Sequence, residues 1–160
     1  MKKIYYILSL FFLSFVLLNC GGSGGDDPAE MTDQQKTAKA LKDGSPWTIA
    51  SVDSKPDGAD AEALDGLEIS FGISGSGAEI APTSFFSEGV EAMESDPGAT
   101  WSWDGASIST VNLTNAFTSR LTNVQVLPNV DAPTSVKITF ELSSIGGRTK
   151  GVGEYTITLE

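Results

Sequence analysis

The chain has 160 residues, enough for one domain of ordinary size, and its 21 acidic and 10 basic residues give a net charge of -11. An acidic surface repels phosphate backbones, so nucleic acid is excluded as an expected partner. The chain contains no histidine and a single cysteine, which removes the commonest general base, the commonest metal ligand and any intrachain disulfide. We therefore expect a protein that is not an enzyme and that has no cofactor and no metal site.

Residues 1–19 have the layout of an export signal. Lys2 and Lys3 precede an apolar run at 4–18, which is shorter than the roughly 20 residues that a membrane-spanning helix needs. The run ends in Leu17-Leu18-Asn19-Cys20, which resembles the lipobox of bacterial lipoproteins of the Bacteroidetes type. The resemblance implies cleavage before Cys20, lipidation of Cys20, and a place in the cell envelope as an outer-membrane lipoprotein that some such bacteria display at the cell surface.

Acyl chains on Cys20 would make the membrane a partner of the protein without any membrane-binding surface on the folded domain. Removal of residues 1–19, which hold two lysines and no acid, would shift the net charge from -11 to -13. Residues 20–31 are rich in Gly, Ser and Asp and predict a flexible linker.

A short helix is predicted next, over 33–42. Thr32 and Gln35 have the spacing of a capping box, and Ala38 and Leu41 form a weak apolar stripe. Gly44 suits the C′ position, just after the last residue of the helix.

After the helix, apolar residues alternate with polar ones, the pattern of antiparallel strands with one solvated face. The clearest segments are 67–73, 136–142 and 155–159, and less regular strands are predicted at 47–52, 79–86, 99–103, 106–113 and 121–128. Gly, Pro, Asp and Asn turns separate them. The sequence thus predicts a single all-β antiparallel domain of about eight strands over 32–160, including the short N-terminal helix.

The dipeptide Asp104-Gly105 is typical of a two-residue type I′ hairpin. Its register would place Trp103 opposite Ala106 and Trp101 opposite Ile108, with both tryptophans facing inward. Farther along, strict alternation would place Val111 on the opposite face of the strand from Ile108. A bulge or bend near 109–110 is therefore predicted.

Two acidic segments are candidates for chemistry. One could hold calcium, but its spacing does not match an EF-hand loop, so a solvated loop is favoured; it contains Asp57, Asp60, Glu62 and Asp65. The other offers neighbouring carboxylates on a surface turn rather than a glycosidase pair; it contains Glu88, Glu91, Glu94 and Asp96. The apolar spacing of Phe86, Val90 and Met93 in the same segment predicts one or two helical turns lying across an open end of the sheet.

The order of these elements resembles the small lipocalin-like domains of Bacteroidetes lipoproteins. The resemblance covers about 44–160 and is carried by a helix, by Gly44-Ser45-Pro46-Trp47 opening the first strand, and by the final Gly-Glu-Tyr-Thr-Ile-Thr-Leu strand at 153–159. It implies an up-and-down barrel able to hold an apolar ligand, with Arg148 or Lys150 packing over Trp47. A β-sandwich fits the strand count almost as well, and the barrel is favoured.

The favoured function is binding of a small apolar or amphipathic ligand in a cavity walled by Phe71, Trp101, Trp103 and Ile108. Large aromatic residues also dominate ordinary cores, so core packing is the favoured role of the aromatic side chains, with a cavity wall and then an exposed stacking platform for sugar rings as the alternatives. A second hypothesis is an accessory or structural subunit of a surface complex, or a glycan-binding module, without a small-molecule cavity.

Overall fold

The computed structural model describes residues 29–143 and 151–160, so Cys20, Arg148 and Lys150 lie outside the described residues. One helix, α1 (Asp33–Asp43), precedes eight strands: β1 (Trp47–Ser54), β2 (Glu68–Ser74), β3 (Ala81–Glu88), β4 (Thr100–Trp103), β5 (Val111–Thr114), β6 (Arg120–Leu127), β7 (Ser135–Leu142) and β8 (Gly153–Leu159). Each strand pairs antiparallel with the next, and β1 pairs with β8, so the sheet closes into a barrel. The predicted all-β fold and barrel are confirmed, and the sandwich is wrong.

The up-and-down order gives the barrel two ends with different loops. The helix end holds α1 and the connections 75–80, 104–110 and 128–134. The far end holds the connections 55–67, 89–99, 115–119 and 143–152, the last only in part described.

Helix α1 covers the helix end and begins as predicted. Thr32 is the N-cap, with its hydroxyl accepting from the Gln35 amide at 3.3 Å and the Gln35 side chain accepting from the Thr32 amide at 2.8 Å. The stripe residues Ala38 and Leu41 are fully buried. The Gln34 side-chain amide donates to the carbonyls of Gly105 and Ser107, both at 2.8 Å, which ties the helix to the loop between β4 and β5.

The last turn of α1 is fastened to the barrel through one carbonyl. The Leu41 carbonyl, which has no partner within the helix, accepts from Trp47 Nε1 at 2.7 Å and from Ser45 Oγ at 2.8 Å. Ser45 Oγ in turn accepts from the Phe71 amide at 3.0 Å. One serine and one tryptophan therefore connect α1, β1 and β2.

Gly44 ends the helix for a reason other than a left-handed backbone conformation. The helix stops within one residue of the predicted end, at Asp43 with Gly44 as its C-cap, and the φ of Gly44 is −87° and therefore right-handed. A Cβ at Gly44 would overlap Cζ2 and Cη2 of the Trp47 ring. Glycine is required there because the indole lies directly against the backbone, and this contact explains the Gly-Ser-Pro-Trp segment.

The outer wall carries a polar network where the barrel closes. The Asp53 carboxylate of β1 accepts from Lys137 at 2.7 Å, from Thr158 at 2.9 Å and from Ser51 at 2.7 Å. The Lys137 hydrogen bond, followed by that of Ser51, holds the pKa of the Asp53 carboxyl below its usual range. The network joins β1 to β7 and β8.

The predicted two-residue hairpin at Asp104-Gly105 is wrong. A turn does form there, since the Ser107 amide donates to the Asp104 carbonyl at 3.1 Å. The chain pairs with β4 again only from Thr110, whose carbonyl accepts from the Asp104 amide, and the next strand is β5 rather than 106–113. Trp101 lies opposite Leu113 and Trp103 opposite Val111. This register buries the side chains of Val111 and Leu113 inside the barrel and leaves that of Ile108 48% exposed. Burial of two apolar side chains outweighs the exposure of one.

The helical turn predicted near Phe86, Val90 and Met93 is present only in part. Phe86 belongs to β3 and is 49% exposed on the outer wall. A single 3-10 turn, Glu91–Met93, lies at the far end and buries Met93 completely.

We predict that Gly44→Ala destabilises the protein, by about 1–3 kcal/mol of overpacking. At a φ of −87° alanine is otherwise compatible, and Gly→Ala at compatible positions usually stabilises, so the Trp47 contact decides the sign. Urea unfolding of Gly44→Ala, Trp47→Leu and the double variant measures this. The cost of Gly44→Ala should largely vanish in the Trp47→Leu background, and a stabilised Gly44→Ala single variant would contradict the packing.

Candidate functional site

The barrel interior contains a column of seven aromatic rings running between its ends. The centroids of neighbouring rings are 5.1 to 6.2 Å apart, and most of the ring contacts are edge-to-face. In order from the helix end, the rings are Trp103, Trp101, Phe71, Phe85, Phe117, Phe140 and Tyr155. The centre of the barrel is therefore filled by side chains.

The structure brings three of the four predicted cavity residues together. Phe71 and Trp101 are buried neighbours with centroids 5.3 Å apart, and half-buried Trp103 packs on Trp101 at the same distance. The Trp101 indole N–H donates to the Gly72 carbonyl at 2.8 Å. Ile108 does not join them, because it lies exposed in the 104–110 loop.

A cavity lies at the far end, away from those four residues. Its volume is about 290 Å³, and its wall is formed by residues of the connections 55–67 and 89–99 together with Ser143, Gly151 and Val152. The wall is mainly apolar and includes Leu64, Val90, Met93, Leu142, Val152 and Tyr155. Asp60 is the one acidic residue of this lining.

The connection 89–99 is held in place by Ser87, the last inward-facing residue of β3. The buried Ser87 hydroxyl donates to the Met93 carbonyl at 2.5 Å, and the Ser87 amide donates to Ser95 Oγ at 3.1 Å. The Ser95 amide donates back to the Ser87 carbonyl at 3.0 Å. These bonds fix Met93 as one wall of the cavity.

Two loops of the far end meet backbone to backbone at Gly66 and Gly89. Both residues have positive φ, 85° and 86°, and a Cβ at Gly89 would overlap the Gly66 carbonyl. This approach sets the spacing of the two loops that flank the cavity. Sequence reasoning missed it, since nothing in the sequence indicates that these two glycines lie together.

Tyr155 forms the inner end of the cavity. Its ring stacks on Phe140 with centroids 5.5 Å apart, and its hydroxyl donates to the Gly151 carbonyl at 2.9 Å. Burial raises the pKa of the Tyr155 hydroxyl above its usual value, so the group stays a neutral donor. The tyrosine therefore supplies an apolar surface whose polar atom already has a partner.

The far end is strongly acidic. The acidic side chains that its loops and strand ends carry are Asp57, Asp60, Glu62, Asp65, Glu68, Glu88, Glu91, Glu94, Asp96, Glu141 and Glu154. Two pairs are direct cross-strand neighbours: Glu68 lies opposite Glu88, and Glu141 opposite Glu154. Like charges placed directly opposite each other destabilise a sheet.

These carboxylates do not form a compact metal site. Within the described residues no group of three or more Asp, Glu or Cys side chains is arranged to hold an ion.

Across 29–143 and 151–160, no helix has both the length and the apolar composition that a membrane crossing requires.

The chain matches no family model, no curated protein and no solved structure. Any function must therefore be argued from the residues and geometry of this chain, and the resemblance to lipocalin-like lipoproteins stays a prediction.

We predict that Glu68→Gln stabilises the barrel at low salt by about 0.2–1 kcal/mol, because it removes the repulsion across β2 and β3. The gain should shrink in 1 M salt, where the screening length falls to about 3 Å. Chemical unfolding at the two salt concentrations measures it. Glu79→Gln, on an exposed turn at the helix end, is the control and should show little change. An equal gain at both salt concentrations would rule out the electrostatic cause.

Proposed function

We propose that this protein is a non-enzymatic envelope lipoprotein, anchored through acyl chains on Cys20, that binds a small apolar or amphipathic ligand at the far end of its barrel. The observation that carries the proposal is the apolar cavity of about 290 Å³ at the end that α1 leaves uncovered. Concave, mostly apolar sites with a few polar groups are typical of small-molecule binding.

The size of the cavity limits the ligand. Ligand pockets commonly span about 300–1,000 Å³, so this one is at the small end of the range. The aromatic column fills the barrel beyond Tyr155, which prevents a long ligand from passing to the helix end. A compact molecule, or the apolar end of a larger one, fits best.

Binding without chemical conversion is favoured by the state of the polar groups in the wall. The Tyr155 hydroxyl already donates to Gly151, and Asp60 Oδ1 accepts from the Glu62 amide at 3.0 Å. Among the described residues, neither group has a hydrogen bond to a second side chain that would activate it as a nucleophile or a base.

The anchor is supported by the sequence alone: lysines, a short apolar run and Leu17-Leu18-Asn19-Cys20 followed by a Gly-, Ser- and Asp-rich linker. We predict that labelled palmitate attaches to the protein in its native host and is lost in Cys20→Ala. Mass spectrometry should find a mature chain beginning at Cys20. An unlabelled wild-type protein, or one that retains residues 1–19, would contradict the anchor.

We predict that native mass spectrometry of protein purified from its source shows a bound small-molecule mass. Ala63→Phe, which places a ring on the cavity wall at an exposed position, should abolish that mass. The matched control Ala132→Phe adds the same ring to an exposed position at the helix end and should retain it. A ligand-free mass accompanied by another polypeptide would overturn the cavity proposal in favour of an accessory subunit.

A further inference from the structure

We propose that the far-end cavity selects small amphipathic cations, with the apolar part of the ligand inside the cavity and its positive group at the acidic rim. This inference rests on the proposed function, since it specifies the class of ligand for the same cavity. It predicts discrimination by charge, which an apolar cavity alone does not provide.

The first support is the charge of the loops around the cavity. The connection 55–67 contributes Asp57, Asp60, Glu62 and Asp65, and the connection 89–99 contributes Glu91, Glu94 and Asp96. Asp60 belongs to the cavity wall itself. An entering ligand therefore passes between two acidic loops before it reaches the apolar surface.

Basic side chains do little to offset this charge. Of those in the described part of the chain, Lys55 lies at the far end and bonds the Ala59 carbonyl, whereas Arg120 pairs with Asp104 of the helix-end connection 104–110. Arg148 and Lys150 belong to the partly described connection 143–152. Even with both counted at this end, the carboxylates remain in large excess.

The second support is the two pairs of opposed glutamates on the outer wall. Glu68 opposite Glu88, and Glu141 opposite Glu154, place four negative charges on strand ends beside the cavity at a cost in stability. They do not line the cavity, but the negative potential they add extends over its mouth. Such a potential concentrates cations and repels anions, and the effect weakens with salt.

The arrangement suits an organic cation better than a metal ion. A divalent cation needs several oxygen ligands converging on one point, and within 29–143 and 151–160 no such group of three acidic side chains exists. An alkylammonium group needs only a negative field and an apolar surface for its substituents. The far end provides both.

Three probes with the same ring and different charge test the proposal: benzyltrimethylammonium, benzyl alcohol and phenylacetate. Each is titrated into the folded protein at low salt and in 1 M salt, with affinity measured by ligand-observed NMR. We expect the cation to bind about fivefold or more tighter than the alcohol, the anion to bind weakest, and the differences to collapse in 1 M salt.

Two variants and one control variant separate this proposal from the proposed function. Ala63→Phe should weaken all three probes, because it occupies the cavity. The combined Asp60→Asn, Glu91→Gln and Glu94→Gln variant should weaken the cation alone, while Glu79→Gln with Asp131→Asn at the helix end leaves it unchanged.

The outcomes are distinguishable. Equal binding of the three probes, all lost in Ala63→Phe, would overturn charge selection and leave the cavity intact as a ligand site. Tightest binding of phenylacetate would also overturn it. If no probe binds and Ala63→Phe changes nothing, the cavity is not a binding site and both proposals fail.

Discussion

The contact between the Trp47 indole and the backbone at Gly44 is the constraint on which the arrangement of the molecule depends. It brings the last turn of α1 against the start of β1, where the Leu41 carbonyl accepts from both Trp47 and Ser45. The helix is thereby fixed across one end of the barrel, and its buried stripe completes the core there. Because α1 occupies one end in this way, the interior of the barrel is closed from that side, and the apolar cavity with Tyr155 in its wall lies at the other end.

The two ends consequently differ in chemistry as well as in shape. At the helix end, Lys39 and Lys42 of α1 both pair with Asp43 of the same helix, whereas the far end carries opposed glutamates and acidic loops. The apolar cavity and the negative charge occur together there, although acidic residues on a solvated rim are not needed to build a barrel. This coincidence gives the far end its functional interest.

Local patterns in the sequence predicted much of the fold, and long-range contacts account for what it could not predict. Period-two alternation located the strands, and Thr32 with Gln35 located the start of the helix, because these signals depend on neighbours in the chain. The Asp104-Gly105 hairpin failed since burial of Val111 and Leu113 outweighs a favourable two-residue turn. The sequence predicts a cavity walled by Phe71, Trp101, Trp103 and Ile108, whereas the far-end cavity has other walls. Those walls depend on the close approach of Gly66 to Gly89 and on the hydrogen bond from Ser87 to Met93. Both are contacts that no spacing in the sequence reveals.

The position of α1 has a consequence for how the ligand would arrive. With Cys20 as the anchor that we propose, the linker at 20–31 joins the folded domain at the helix end and reaches at most about 40 Å when fully extended. The tether then joins the domain on the side away from its acidic mouth, and its reach lets the mouth stand clear of the membrane surface. A molecule dissolved among the lipid tails would have to leave the bilayer to be captured, so the arrangement favours compounds with appreciable solubility in water.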